Sequence, residues 1–249
     1  MKTRPIAAAM SAVFVVAAGG ACGGEPQAAK EQPTQTVSAT DSGAPRFTNP
    51  AKVTNPYLPL SKTQSLEYRG TNDGARIRAV KTRLDRTQPF TVKGQRVEAA
   101  IVEDRGFEDG ELHEIALDFY AQADDGTVYY LGEDVNYYKK GRVVGHEGAF
   151  RYGRDTDVLG VAMPAAPEPG AEFKFEDVPK VGSEQNRVAK MGGRASFGGT
   201  DYTDVLAVEG LVLPDREKEV KYFARGVGLV RETGPKSDVR RVSAGKVGA

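Results

Sequence analysis

The residue types that most often carry out chemistry are scarce in this chain. It has 249 residues with two histidines, one cysteine and no tryptophan. A single cysteine, Cys22, excludes an intramolecular disulfide and a zinc site built from cysteines. His113 and His146 each precede a glutamate, but adjacent side chains on a strand point to opposite faces. The sequence therefore predicts no metal site.

Nucleophilic catalysis finds no better support in the sequence. The chain lacks the G-x-S-x-G elbow of hydrolases, and Ser196 has no histidine partner that the sequence identifies. The paired glycines at 192–193 and 198–199 lack the spacing of a phosphate-binding loop. Carboxylates are abundant, so a carboxylate-dependent hydrolase stays open as an alternative, although no pair is singled out. We predict no catalytic residue and no cofactor.

Tyrosines are the more informative side chains. Six of the ten fall between positions 120 and 152. We expect the adjacent pairs at 129–130 and 137–138 to lie on consecutive strands joined by residues 132–136, with one member of each pair pointing inward. They either pack across strands or form a cavity wall with Ile115, Leu117 and Phe119, suited to a lipid-like or aromatic ligand. The candidate ligand-binding residues are Tyr120, Tyr129, Tyr130, Tyr137 and Tyr138.

The N-terminus has the features of an export signal. Lys2 and Arg4 precede an uncharged run at 6–18, which is too short to span a membrane but suits a signal peptide. Small residues at 19–21 and then Cys22 follow, so the stretch resembles a bacterial lipoprotein signal. We expect residues 1–21 to be removed and Cys22 to be lipidated. Ordinary cleavage near Ala21, which leaves a secreted protein, is the alternative.

Residues 23–46 are predicted to form a disordered tether. They contain no aromatic residue, leucine or isoleucine and a single valine, so they offer almost nothing to bury. Twenty-four such residues reach roughly 27 Å, at about 5.5 Å times the square root of their number. With Cys22 they make up the segment 22–46, which we expect to be dispensable for folding.

The remainder, residues 47–249, is predicted to be one all-β domain. Turn signals such as Asn72-Asp73-Gly74, Asp109-Gly110 and Lys140-Gly141 separate runs rich in valine, isoleucine, tyrosine and threonine. No long helical periodicity follows Cys22. Roughly ten strands ending near 232 indicate an antiparallel meander that forms a barrel, a half-barrel or a large curved sheet.

Alternation within the segment 111–122 predicts which side faces the core. Side chains at successive positions of a strand point to opposite faces. One face carries Glu114, Asp118 and Tyr120. The other face is more apolar, so we predict that it packs in the core: His113, Ile115, Leu117, Phe119 and Ala121.

Charge is balanced overall but segregated along the chain. The 34 Lys and Arg equal the 34 Asp and Glu, so no basic field indicates nucleic acid as a partner. Residues 69–96 are mainly basic and residues 98–134 mainly acidic. These blocks either pair across neighbouring strands or leave an acidic surface for calcium or a cationic partner. We favour cross-strand pairing, because the spacing of a calcium loop is missing.

Several motifs together resemble one family of bacterial proteins. They cover most of the predicted domain, at 55–60 (NPYLPL), 119–122 (FYAQ), 125–134 (DGTVYYLGED), 163–164 (MP) and 222–230 (YFARGVGLV). The combination resembles uncharacterised secreted lipoproteins of the actinobacterial type. The resemblance implies export and a lipid anchor, and it supplies no ligand or catalytic residue.

These observations predict a lipoprotein held at the extracytoplasmic face of the cell membrane by its N-terminal lipid. The leading hypothesis for its function is a non-catalytic envelope module that binds an apolar small molecule or lipid. A second hypothesis is a scaffold that binds another envelope protein through an acidic face. An apolar cavity would favour the first and a coherent exposed patch the second.

Overall fold

The computed structural model describes residues 43–60 and 64–246. The predicted signal peptide, the lipidation site Cys22 and the tether up to residue 42 lie outside these residues. In the part of the chain that the structure describes, there are sixteen strands and no helix, and so no helix able to cross a membrane. The predicted all-β class is confirmed.

The strands range from 2 to 18 residues in length, and few of the connections between them are long. In chain order they are β1 (Gln64–Asn72), β2 (Ala75–Val92), β3 (Gln95–Glu108), β4 (Glu111–Gln122), β5 (Val128–Lys139), β6 (Arg142–Gly145), β7 (Phe150–Arg151), β8 (Gly160–Met163), β9 (Glu172–Val178), β10 (Gly182–Lys190), β11 (Arg194–Phe197), β12 (Thr200–Thr203), β13 (Val205–Leu213), β14 (Glu217–Ala224), β15 (Gly228–Thr233) and β16 (Ser237–Lys246).

Fourteen strands form one large antiparallel sheet. Their order is β6-β5-β4-β3-β2-β1-β16-β15-β14-β13-β10-β9, with β7 and β8 paired to β5, while β11 and β12 form a separate hairpin. The sequence did not predict β16, which lies between β1 and β15 and joins two meanders into one sheet. Pairing among the described residues leaves the sheet unclosed, so it is a curved sheet or half-barrel.

Tight turns with left-handed backbone conformations connect the N-terminal strands. Asp73-Gly74, Asp109-Gly110 and Lys140-Gly141 all have positive φ at both positions, as the sequence predicted. A fourth turn of this kind, Lys93-Gly94 with φ of 48° and 80°, was not predicted. It lets the pairing of β2 with β3 continue up to Val92 and Gln95.

The curvature of the sheet brings its two ends together. β8, which is paired to β5, approaches β9 so closely that a Cβ at Gly160 would lie 1.9 Å from the carbonyl oxygen of Phe175. A bulge in β5 adds to the bend, because the register between β4 and β5 shifts between Asp118 and Tyr120. The concave face thereby becomes an interior.

The prediction of the core face of β4 is wrong over much of the strand. Glu114, Ala116, Asp118 and Tyr120 are all buried on the concave face, whereas Ile115 and Leu117 on the other face are only half-buried. Near its end β4 is packed on both faces, because Phe119 and Ala121 belong to a separate apolar cluster with Phe90 and Leu131. The prediction placed the more apolar face of β4 in the core, whereas over much of the strand this face is the convex one.

Candidate functional site

A cavity of about 250 Å³ lies within the concave face. Its lining is mainly apolar and comes from many strands of the sheet. The apolar and aromatic members are Leu58, Pro59, Leu60, Leu66, Tyr68, Val102, Tyr120, Ala162, Phe173, Phe175, Val208, Phe223, Val227 and Leu229. The polar members are Lys81, Arg83, Glu184, Asn186, Lys221 and Arg241.

An N-terminal segment, residues 55–60, supplies one side of this cavity. The buried Asn55 anchors it, because its Nδ2 donates to the carbonyl oxygens of Gly126 and Pro164, both at 3.0 Å. Its Oδ1 accepts from the backbone N–H of Tyr57 at 2.9 Å. The segment therefore cannot move without breaking hydrogen bonds to the loops that precede β5 and follow β8.

Two further contacts fix the same segment. The Oε1 of Gln122 accepts from the backbone N–H groups of Thr54 and Asn55, at 2.7 and 2.9 Å. The backbone N–H of Gly226 donates to the carbonyl oxygen of Pro56 at 2.7 Å. All five motifs that carry the family resemblance therefore meet around one side of the cavity, although they are far apart in sequence.

Tyr120 is the one predicted tyrosine that lines the cavity within the described residues. Tyr130 lies behind it, with the two ring centroids 5.2 Å apart, and stacks on Phe175 at 4.5 Å. The Tyr130 hydroxyl donates to Oδ1 of Asp118 at 3.0 Å. Tyr130 thus supports the cavity wall and holds a buried carboxylate, rather than facing a ligand itself.

The other three predicted tyrosines lie away from the cavity. Tyr137 is buried against Glu114, with which it shares a hydrogen bond, and its ring packs edge-on to His113. Tyr129 is half-buried on the convex side, 5.9 Å from the ring of Phe47. Tyr138 is half-buried on that side as well. The predicted alternation is confirmed, but Ile115, Leu117 and Phe119 do not form the predicted wall.

The two tyrosine pairs lie on one strand, β5, and not on consecutive strands as predicted. Gly132, expected in a connection, continues the strand with a φ of 111° at the bulge. The extra residue reverses the alternation, so that the even-numbered Tyr130 and the odd-numbered Tyr137 both point inward. Glycine fits this position because a Cβ would lie 2.1 Å from the carbonyl oxygen of Phe150.

Ionisable side chains cluster beneath the cavity in two groups, each around a lysine. The Lys81 cluster comprises Lys81, Asp104, Glu114, Asp118 and Glu133. Lys81 Nζ lies 2.6 Å from Oδ2 of Asp104 and 4.0 Å from Oδ2 of Asp118. These residues come from β2, β3, β4 and β5, and Lys81 lies directly opposite Asp104 in the register.

The Lys221 cluster occupies the other half of the interior and comprises Lys221, Glu176, Glu184, Glu219 and Glu232. Lys221 Nζ lies 2.9 Å from Oε1 of Glu184 and 2.6 Å from Oε1 of Glu219. Glu184 also accepts from Nδ2 of Asn186 at 2.8 Å. Gly210 leaves the space for this arrangement, since a Cβ there would lie 2.8 Å from Cγ of Glu219.

Burial shifts the protonation of both clusters. It raises the pKa of Glu114 and of Glu176 to about 8, assisted by neighbouring carboxylates, and that of Asp118 to about 6. Burial opposes the charge on Lys81 and Lys221, but the carboxylates around each lysine outweigh it and raise both pKa values. At neutral pH the lysines are therefore charged, while Glu114 and Glu176 are largely protonated.

These clusters limit what the site can do chemically. Of their carboxyl groups, Glu184 is the one that lines the cavity, and it is bound to Lys221 and Asn186. A glycosidase-type reaction needs two carboxyl groups flanking the substrate. The cavity offers apolar surface with cationic donors.

The two histidines contact different residues of β5. His113 packs near Tyr137, and Nδ1 of His146 makes a hydrogen bond to the carbonyl oxygen of Val135 at 2.8 Å. Within residues 43–60 and 64–246, no group of three or more His, Cys, Asp or Glu side chains is placed to hold a metal ion.

The basic and acidic blocks lie on neighbouring strands, as predicted, because β2 pairs with β3 along most of its length. The partners differ from simple expectation. Arg78 contacts Glu67 of β1 and lies over the ring of Phe107, and Arg83 binds backbone carbonyl groups. The cross-strand ion pair of the two blocks that reaches the interior is Lys81 with Asp104.

The sequence did not identify the charged lining of the cavity. Lys81 and Arg83 share the parity of Ile77 and Ala79 in β2, and all four point to the concave face. This parity was the available signal. It was missed because lysine and arginine in strands usually face solvent.

Comparisons of the chain with protein-family models, curated proteins and solved structures found no match.

Proposed function

We propose that the protein is an exported, lipid-anchored module of the cell envelope that binds a small apolar or amphipathic molecule inside its curved sheet. The observation that supports this proposal best is the cavity on the concave face, with aromatic walls and a few inward polar groups. Ligand sites have this composition: a largely apolar lining with a small number of placed polar groups that fix orientation.

The size of the cavity restricts the ligand. Its volume of about 250 Å³ lies just below the roughly 300–1,000 Å³ typical of small-molecule pockets. A single aromatic ring system or one short chain fits this volume better than a lipid with two acyl chains. The aromatic side chains Tyr120, Phe175 and Phe223 would contact the apolar part.

Filling the cavity tests this proposal. The neutral dye phenylnaphthylamine gains fluorescence when it leaves water for an apolar site, so it reports occupancy. We expect the wild-type chain to bind it saturably at one dye per chain. Ala162→Phe should reduce this affinity at least tenfold, because Ala162 lines the cavity and the larger ring occupies it.

A matched variant controls for the added ring. Ala195→Phe places the same ring on β11, in the outer cluster around Val205 and Val230, and should leave dye binding unchanged. Unsaturable binding, or equal affinity in the wild type and Ala162→Phe, would contradict the proposal.

The anchor is proposed from the sequence, with Cys22 as the lipidated residue. Two acyl chains give stable membrane binding, at about 0.8 kcal/mol per buried methylene. We expect Cys22→Ser to move the protein from the membrane fraction to the medium. Mass spectrometry of the wild type should show an added acyl mass. Membrane retention of Cys22→Ser, together with an unmodified wild-type mass, would show that the anchor is absent.

A further inference from the structure

We propose that the ligand is an amphiphile with a carboxylate head, which is bound by the arginines of the cavity lining, Arg83 and Arg241. This inference rests on the proposed function, since it names the chemical class that the same cavity takes. The lining contains two kinds of cation. The lysines form ion pairs with carboxylates, whereas the arginines form hydrogen bonds with neutral groups, and the inference follows from this difference.

Arg83 is a buried cation whose hydrogen-bond partners are neutral. The residue is 4% exposed, and its side chain lines the cavity. Nη1 contacts the carbonyl oxygens of Leu84, Arg86 and Ile101, and Nη2 contacts that of Ala51. Among the described residues, Nε has no hydrogen-bond partner. A buried donor without a partner is costly, and a ligand oxygen would satisfy it.

Arg241 is a second cation of the lining and lies on β16, two strands from the β2 strand that carries Arg83. It is opposite Tyr68 of β1, which in turn adjoins β2, and it lines the cavity. Its Nη1 donates to the carbonyl oxygen of Val227 at 2.8 Å, another neutral group. On β1, the hydroxyl of Tyr68 donates to the carbonyl oxygen of Leu229 at 3.1 Å.

The lysines of the lining, by contrast, are already paired. Lys81 binds Asp104, and Lys221 binds Glu184 and Glu219, each within 3 Å. Burial raises the pKa of Glu114 and Glu176 to about 8, so both are largely protonated at neutral pH, and it raises the pKa of Glu133 and Glu232 as well. Asp85 acts on Arg83 through its charge, but it is exposed to solvent. Among the described residues, the two arginines are therefore the cations of the lining whose hydrogen bonds go to neutral carbonyl groups.

The aromatic part of the lining suits the apolar end of such a ligand. Phe173 and Phe175 of β9 and Phe223 of β14 supply it. A carboxylate bound by guanidinium groups would direct its chain or ring toward these aromatic residues. Guanidinium is suited to this role because its planar donors match a carboxylate.

Three matched molecules test the head group by displacing phenylnaphthylamine from the wild-type full chain. Octanoate, octanol and octylamine have the same chain and differ in charge. We expect octanoate to displace the dye at a concentration at least tenfold lower than octanol, as one charge-assisted hydrogen bond gives. Octylamine should be the weakest of the three.

Variants then assign this preference to the two arginines. Arg241→Gln and Arg83→Gln should each reduce the preference for octanoate over octanol about tenfold; the ratio is taken within each variant, so a change in its affinity for the dye cancels. Arg96→Gln, on the exposed start of β3, is the control and should change nothing. Retained dye binding shows that a variant folds. If one variant fails to fold, the other variant and the wild-type preference still decide.

The outcomes separate this inference from the proposed function. If the dye binds but octanoate displaces it no better than octanol, the carboxylate assignment is wrong and the binding module stands. If octylamine displaces best, the buried acids determine the charge preference, and the inference is overturned. If the dye does not bind in the cavity at all, the proposed function fails and the inference fails with it.

Discussion

Lys81 and Lys221 allow this sheet to keep acidic side chains inside. Seven carboxyl groups are buried among the described residues, and isolated buried charges cost several kcal/mol each. Two responses are visible. Asp104 and Glu184 form ion pairs with the lysines, and Glu114 and Glu176 take up protons as their pKa values rise. Protonation removes the charge that burial penalises.

Glu176 makes this second response measurable through pH. Its pKa is raised from the ordinary 4.5 to about 8 by burial, with Glu184 directly opposite it on β10. The folded state therefore binds a proton that the unfolded state loses above pH 4.5. The resulting stabilisation is complete below pH 4.5 and disappears as pH rises through 8. Carboxylates with lowered pKa, such as Asp204, titrate below this window.

We expect Glu176→Gln to flatten the fall in stability between pH 5 and pH 8. In both proteins the free energy of unfolding should fall from pH 5 to pH 8. The fall in the wild type should exceed the fall in Glu176→Gln by more than about 1.4 kcal/mol, the equivalent of one pKa unit. Urea denaturation at the two pH values measures it. Glu172→Gln, on the exposed part of the same strand, is the control and should behave as the wild type. Equal pH dependence in all three proteins would show that Glu176 does not titrate in this window.

At the residue scale, the sequence identified one of the cavity residues. Tyr120 was found because tyrosines are concentrated in that region. Lys81, Arg83 and Arg241 were not, because their burial depends on partners from other strands, such as Asp104, and on the curvature of the sheet. The sequence of a single strand does not show its partners in other strands or the curvature of the sheet.

At the element scale, local turn chemistry was readable and distant pairing was not. Asp73-Gly74 and Asp109-Gly110 specify hairpins through residues that tolerate positive φ. β16 pairs with β1, more than 160 positions earlier in the chain, and its sequence contains no turn signal that announces this partner. β5 was divided into two strands because Gly132 resembles a turn residue, although it forms a bulge.

Gly160 tests whether the approach of β8 to β9 matters to the whole sheet. A Cβ at this position would lie 1.9 Å from the carbonyl oxygen of Phe175, which is backbone and cannot turn aside. We expect Gly160→Ala to destabilise the protein by about 2 kcal/mol or more, within the range of overpacked cores. Dye binding should weaken as well, because Phe175 and Ala162 both line the cavity.

The comparison for this variant is a glycine with free space. Gly193→Ala meets no heavy atom within 4 Å of the added Cβ and is exposed, so its unfolding free energy should stay within about 0.5 kcal/mol of the wild type. Denaturant unfolding of the two variants measures both. Equal stability would mean that β8 and β9 can separate at little cost.

At the scale of the whole molecule, the cavity exists because two meanders share β16. β1 to β5 supply Leu66, Arg83 and Tyr120, while β9 to β15 supply Phe175 and Leu229. Residues 55–60 then cover part of the interior. Residues of the other motifs of the family resemblance hold this segment through hydrogen bonds. This physical role explains why those motifs lie together even though they are separated in sequence.

The start of the folded region can be placed from the same contacts. The carbonyl oxygen of Pro45 accepts from Nε2 of Gln95 at 2.6 Å, and that of Arg46 accepts from the backbone N–H of Asp124 at 2.8 Å. The sequence placed the end of the tether at residue 46, because residues 23–46 have almost no apolar side chains. Hydrogen bonds to backbone carbonyl groups need no apolar side chain at the accepting residue, so composition could not reveal these two.

A pair of shortened chains tests this boundary. A chain that begins at Gly43 keeps both hydrogen bonds and should unfold at the same temperature as one that begins at Gly23. A chain that begins at Phe47 loses both, at a net cost of about 0.5–1.5 kcal/mol each. For a protein of this size, that corresponds to a lower midpoint by roughly 2–12 °C. Calorimetry of the three chains measures it. A lower midpoint already at Gly43 would show that residues 23–42 stabilise the fold, and equal midpoints in all three would return the boundary to residue 46.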